Sequence, residues 1–167
     1  MPSLSSFPSG GKIFIDANIF LEHMLQGEPS CTAFFQRLSR KEIHAVTSVG
    51  VIAEVRHRLL LTEAVRRGYV ARPQRALEAL RTKPHILRHL ESCDVALNTL
   101  LEATVHRIVS VTPSQFRKAQ KISIRFQLLT NDALHAASIR AHRLRHIASA
   151  DHDFQHVRNL TVWSPKP

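Results

Sequence analysis

Five aspartates occur in the 167 residues, at positions 16, 94, 132, 151 and 153, and four of them fall where a strand would end or a helix begin. Asp16 follows the apolar run of KIFIDANIF, Asp132 opens TNDALHAA, and Asp151 and Asp153 follow HIASA. Glu54 lies within a helical pattern, in register with apolar neighbours such as Val51, which points its carboxylate inward. Carboxylates drawn inward need partners. The local pattern specifies no Lys or Arg for them, and hard oxygen ligands suit Mg²⁺ or Mn²⁺, so a divalent metal is the economical partner.

Simpler roles stay open at this point. Aspartate is favoured at helix starts, so Asp16 and Asp132 each fit a capping role, Asp151-His152-Asp153 fits a solvated turn, and a partly exposed Glu54 fits pairing with Arg56 or Arg58 on its own helix. Asp94 shares none of these placements and reads as a surface residue.

The elements that must position these acids alternate between strand and helix. KIFI (12–15) after Gly10-Gly11 predicts a buried strand ending at Asp16, and Phe20, Leu21, Met24 and Leu25 recur at helical spacing up to Gly27. A helix over 29–40, a strand over 43–48, and a long helix over 49–67 capped by Gly68 follow. Residues 72–103 read as two helices interrupted by Pro84, an arm inserted into the alternation. Beyond it come a strand (106–111), a helix from Pro113 to Phe126, a helix over 131–144, and strands over 146–149 and 160–163. This order predicts an α/β fold with a parallel sheet covered on both faces, whose ligand site lies at the carboxyl ends of the strands.

Composition narrows the partners. The formal net charge is +10 and the pI about 10.8, a field that favours nucleic acid or an acidic protein over a membrane surface. Seven Lys/Arg lie between Arg66 and Glu91 against two Glu, a local excess equal to half of that net charge. No apolar run approaches the roughly 20 residues that span a bilayer, and MPSLSSFPSGG lacks a basic leader and reads as a flexible tail over 1–11. Cys31 and Cys93 form no paired motif, which fits a reducing cytosol, so a cytoplasmic location is expected. His142/His146 and His152/His156 have i,i+4 spacing, but HExxH is absent and His146 begins a strand, so the eleven histidines do not read as a zinc site.

IDANIF, TSVGVIAE, TNDALHAA and ASADHDF, in this order and spacing, resemble the motifs of PIN-domain nucleases, including VapC-type toxin ribonucleases. The resemblance covers residues 12–163, expected to form one domain, with 164–167 as a carboxyl-terminal tail. It implies a three-layer PIN-like fold, a mostly parallel twisted sheet of about five strands flanked by helices. It also implies a Mg²⁺- or Mn²⁺-dependent endoribonuclease in which Asp16, Glu54, Asp132 and Asp151 are the catalytic acids and metal ligands, with Asp153 as an auxiliary ligand. Asn18 keeps the family's amide and Ser149 its hydroxyl, whereas Ala17 stands where Thr or Ser is common. The toxin branch implies RNA as substrate and an antitoxin protein as partner, and dimers are common in the family, so a homodimer is expected.

Elementary chemistry agrees with this reading. Carboxylates around one or two divalent ions generate a nucleophilic hydroxide and stabilise an in-line phosphoryl transition state. Without metal the acids repel one another, which predicts raised pKa values and weak order. An acidic site also needs cations nearby to hold phosphate: Arg56, His57 and Arg58 follow Glu54, and Arg140, Arg143 and Arg145 follow the Asp132 helix, either as RNA contacts or as solvated faces. His135, one turn after Asp132, faces the site or packs. Other classes fit less well. A phosphoacceptor receiver would want an Asp after the third strand and a Lys after the fifth, where the sequence has only Lys166. The five glycines form no nucleotide-binding loop. A non-catalytic RNA-binding protein would be penalised by four carboxylates in its groove, while a toxin and an RNA-processing nuclease would share the same acids.

Overall fold

The computed structural model describes residues 1–165; Lys166 and Pro167, the end of the expected carboxyl-terminal tail, lie outside them. Within these residues the chain forms five strands, β1 (Lys12–Ile15), β2 (His44–Ser48), β3 (Val105–Val109), β4 (His146–Ala148) and β5 (Thr161–Trp163). All neighbours pair in parallel, in the order β3-β2-β1-β4-β5. Seven α-helices accompany them: α1 (Ala17–Leu21), α2 (Pro29–Ser39), α3 (Val49–Arg66), α4 (Ala76–Thr82), α5 (Glu91–Thr104), α6 (Pro113–Phe126) and α7 (Thr130–Ala141).

The central strand explains the layering. Ile13, Phe14 and Ile15 are all fully buried, which strict alternation on a one-sided sheet would not allow, so both faces of β1 are covered. From β1 the chain builds outward to β2 and β3, then crosses back to place β4 on the other side of β1. Right-handed crossovers that reverse direction in this way put the helices of the two halves on opposite faces. Side chains of α1, α2, α3 and α5 join the sheet in the main apolar cluster, while α6 and α7 form a second cluster with Val157.

Several boundaries follow from local chemistry. Gly27 and Gly68 take left-handed φ values of 62° and 75° and end their helices as expected. After α1 the helix loosens into a π turn, Glu22–Gln26, before Gly27 stops it. β3 ends at Val109, short of the expected Val111, because Thr112 is committed to a capping box with Gln115 that starts α6. α7 ends at Ala141, earlier than expected, with Arg143 in the left-handed region.

The arm is present and Pro84 does divide it, into α4 and a 3₁₀ segment, Pro84–Leu90, that leads into α5. Leu60, Ala64, Val70, Ile86 and Leu90 seal it to α3. Polar clamps reinforce the joint. Glu63 accepts hydrogen bonds from Arg66 and Arg67 at 2.6 Å, and Arg67 reaches on to the His89 carbonyl and the Ser92 hydroxyl. The two guanidiniums hold the Glu63 carboxyl well below the usual range, at about 2. Two of the seven cations that made this region look basic are therefore engaged by a carboxylate.

One expectation is overturned. The first residues are not a loose tail: Leu4 and Phe7 are fully buried, and a 3₁₀ turn, Leu4–Ser6, follows a Ser3 cap. Phe7 meets Trp163 edge-on at 5.0 Å and His146 at 5.4 Å. The backbone is satisfied too, through Leu4 N–H to the Ser164 carbonyl at 2.8 Å and Ser164 N–H to the Pro2 carbonyl at 3.0 Å. Two well-placed apolar residues suffice to dock a segment whose overall composition is that of a loop. Phe7→Ala is expected to cost about 3–5 kcal/mol in urea unfolding, whereas an undocked tail would leave the midpoint unchanged.

Candidate active site

The direction of sheet growth reverses at β1, so a crevice opens beyond the carboxyl ends of β1 and β4. Asp16 enters it directly from β1 and Asp151 from the loop after β4. Ser48, at the end of β2, caps α3 by accepting a hydrogen bond from Val51 N–H at 3.2 Å. That cap fixes the first turns of α3, on which Glu54 is half-buried. Asp132 is held in the first turn of α7, whose cap position is Leu129 and makes no side-chain bond. The capping explanation thus fails for Asp132. It holds in part elsewhere: Asp16 Oδ1 accepts from Ala17 N–H at 2.7 Å, and Asp151 Oδ1 from Asp153 N–H at 2.8 Å.

Asp16 is the most constrained member. It is 6% exposed, and its Oδ2 accepts from the Ser149 hydroxyl at 2.7 Å and the Asn18 amide at 2.8 Å. Asn18 in turn accepts from Ala150 N–H at 3.1 Å, and Ser149 Oγ accepts from Asp151 N–H at 3.0 Å. Asn18 and Ser149 therefore lace the end of β1 to the loop after β4 through neutral donors. Both Asp16 oxygens thus accept hydrogen bonds from uncharged donors.

The electrostatics mark the acids as neighbours. Burial raises the Asp16 carboxyl above its ordinary range, the bonds from Ser149 and Ala17 oppose that rise, and the charge of Asp151 adds to it. Asp132 is pushed up to about 6, first by burial and then by the charges of Asp151, Asp16, Glu54 and Asp153. All five acids named from the sequence thus share one field. His135 is buried beside them, with Nε2 3.9 Å from Asp16 Oδ1 and its ring tilted against Phe14. Burial lowers its pKa while Glu54 pulls the other way. A neutral imidazole is what this position favours.

The donor set suits a hard divalent cation. Among the described residues no Lys or Arg forms an ion pair with Asp16, Glu54, Asp132, Asp151 or Asp153. Nor do any three His, Cys, Asp or Glu side chains there form a ready-made metal cage. Mg²⁺ does not require one, because it keeps several waters and takes one or two carboxylates directly. Oxygen-only chemistry and uncompensated charge fit such an ion.

The basic residues distribute differently. Arg58 is exposed one helical turn beyond Glu54 and so shares its face. Arg56, two residues from Glu54, points elsewhere and donates two hydrogen bonds to Asp94, at 2.7 and 3.0 Å. The pair ties α3 to α5, which gives Asp94 a structural role and commits Arg56 to it. Arg140 lies eight residues beyond Asp132, about 12 Å along α7, and Arg143 follows the helix end. Neither joins the acids. Both line a separate cavity with Arg125, Arg145 and Arg158, a grouping that sequence reasoning missed because its members come from distant segments.

Comparison with known proteins agrees with this architecture. The chain is 24% identical over 151 residues to Ribonuclease VapC2 of Methanocaldococcus jannaschii, covering 90% of this chain and 92% of that one. Its fold is similar to that in the crystal structure of VapBC2 from Rickettsia felis bound to a promoter DNA fragment, at 12% identity and a TM-score of 0.58, covering 92% and 98% of the two chains. A toxin-antitoxin complex from Klebsiella pneumoniae gives 17% identity and a TM-score of 0.53, covering 89% and 95%. The model of the PIN domain matches residues 13–160, from β1 through β4 and including every acid of the crevice but not β5, and the chain belongs to the PIN domain family.

Proposed function

We propose that this protein is a metal-dependent endoribonuclease whose site is the carboxylate crevice between β1 and β4. The carrying observation is the crowding at Asp132, a half-buried acid raised first by burial and then by the charges of four other carboxylates, none of which pairs with a Lys or Arg among the described residues. Such an arrangement costs folding stability and is useful only when a cation enters. Asp16, Glu54, Asp132 and Asp151 would hold Mg²⁺ or Mn²⁺ directly or through water, with Asp153 at the rim. When bound, the ion would supply a hydroxide at neutral pH and neutralise charge on the phosphoryl group. The chain's own residues do the positioning: Ser149 and Asn18 fix the orientation of Asp16, His135 shields it from bulk water, and Arg58 offers a phosphate contact beside Glu54. The name of the Methanocaldococcus relative, a ribonuclease, supports RNA as the substrate.

A toxin role is part of the proposal. It is supported by fold likeness to a toxin-antitoxin complex and by a net charge of +10, which suits an acidic antitoxin segment as well as RNA. A homodimer is proposed on the exposed apolar residues of the α6–α7 hairpin, where Ile124 is 84% and Leu129 77% exposed and Ile124 shares a pocket with Phe116.

Purified protein should cleave labelled single-stranded RNA in Mg²⁺ or Mn²⁺ and not in EDTA. Asp132→Asn should lower the rate roughly 10²–10³-fold. In cells the wild type should arrest growth and Asp132→Asn should not. Intact RNA in every lane, with binding retained, would replace the nuclease reading by that of a non-catalytic RNA-binding protein. A separate expectation concerns stability in EDTA. The folded-state pKa of Asp132, about 6, exceeds its ordinary 3.8, so the folded chain binds the proton more tightly than the unfolded chain. Its ionisation therefore destabilises the fold above about pH 6, and this penalty fades as pH falls toward 4. Asp132→Asn should be about 1–2 kcal/mol more stable than wild type at pH 7.5 after solvent screening is allowed for, with the gap closing near pH 4. Equal stability at pH 7.5 would show that the acids are not crowded. Sedimentation should give a dimer for wild type and a monomer for Ile124→Glu; an unchanged mass would move the dimer surface elsewhere.

A further inference from the structure

At the edge of the sheet opposite the acids lies a cavity of about 1200 Å³. Arg145 and His146 stand at the start of β4 and Thr161 at the start of β5, so the cavity opens at the amino ends of strands whose carboxyl ends face the crevice. Five arginines line it, Arg125, Arg140, Arg143, Arg145 and Arg158, together with His146. No Asp or Glu lines it, and none of the five forms an ion pair among the described residues. Five uncompensated charges around one concavity repel one another, a cost that an anion removes.

Helix-end placement accounts for two of them. Arg125 and Arg140 sit in the last turns of α6 and α7, where the helix dipole favours a cation, and both face the Phe126 ring, at 5.4 and 5.1 Å. Arg143, Arg145 and Arg158 lie outside helices and have no such account. Arg143 has a φ of 55°, at a helix-end position where glycine would be unstrained. Asn159, also on the wall, has a φ of 64°.

We propose that this cavity is a second nucleic-acid site, which docks the phosphodiester backbone of the RNA away from the acids. Guanidiniums match phosphate oxygens in a bidentate fork, and the cavity is larger than the roughly 300–1,000 Å³ of a small-ligand pocket. Arg145 and Asp151 are six residues apart along a largely extended segment, about 20 Å, so an RNA engaging both edges must reach at least that far. The choice of RNA rests on the ribonuclease reading; the binding of an anion does not.

The test is fluorescence anisotropy of a labelled 20-nucleotide RNA with the full chain in EDTA, which keeps cleavage out of the readout. Arg143→Gly with Arg145→Gln removes two charges from the wall, and the glycine fits the left-handed backbone, so the melting temperature should not fall. Arg88→Gln with Arg107→Gln removes the same charge from exposed positions off the cavity, neither of which forms an ion pair among the described residues. The cavity pair should weaken binding at least 10-fold at about 100 mM salt and reduce the log–log salt slope by about 1.4, near 0.7 per lost single-strand phosphate contact, while the other pair should change affinity less than about 2-fold. Equal losses in both pairs would show that net charge alone matters and would overturn the proposal. So would full displacement of the RNA by inorganic phosphate at equal phosphate concentration, which would make the cavity a simple anion pocket. Tighter binding of a poly-glutamate peptide than of RNA, lost in the cavity pair, would reassign it to an acidic protein segment. Because no step depends on cleavage, an inactive enzyme with this binding pattern would count against the nuclease reading alone.

Discussion

Mutual repulsion of carboxylates is the constraint around which this fold is built. Acids that share one field push apart, so something other than their own attraction must hold them. Here the parallel sheet supplies that force. Phe14 pairs with Ile147 and Ile15 with Ala148 in the register of β1 and β4, and the next residues of each strand arrive at one crevice. The Ser149 hydroxyl then bonds Asp16 across a separation of 133 residues. Neutral donors suit this task because they fix a carboxylate while leaving its charge available, whereas an arginine would fix it and cancel it.

The distribution of positive charge follows a complementary logic. Cations near the crevice are few, and one of them, Arg56, is spent on Asp94. The arm is less basic than its composition suggests, since Glu63 engages Arg66 and Arg67. Five arginines without an ion pair among the described residues gather at the other end of β4 and β5. Separating the two keeps guanidiniums from collapsing onto the acids, and gives the molecule a polarity that a long polyanion can follow from one edge to the other.

Much of this was legible in the chain because it is encoded locally. Apolar runs followed by aspartate mark strand ends, Pro113 and the Thr112 capping box mark the start of α6, and Gly27 and Gly68 mark helix stops. The acids were legible for the same reason, each sitting at a fixed offset from an element end. What could not be read depends on tertiary contact. Leu4 and Phe7 look like loop residues until Trp163 and Ser164 come beside them. Arg125 and Arg158 look like solvated surface until two helix ends and a turn place them around one cavity. Asp94 had no motif, and its role as the partner of Arg56 became visible only with α3 and α5 side by side.

The docking of Phe7 against Trp163 has a consequence for the order of assembly. Synthesis runs from the amino terminus, so Phe7 emerges from the ribosome long before the β5 residues that cover it. Until then its ring and that of the neighbouring core must be sheltered transiently or remain exposed, a state prone to association. The isolated bridge between Ser3 and Ser164, just past the three-residue edge strand β5, forms at the same late stage. Burying Phe7 and pairing Ser3 with Ser164 therefore wait for the same late-synthesised residues.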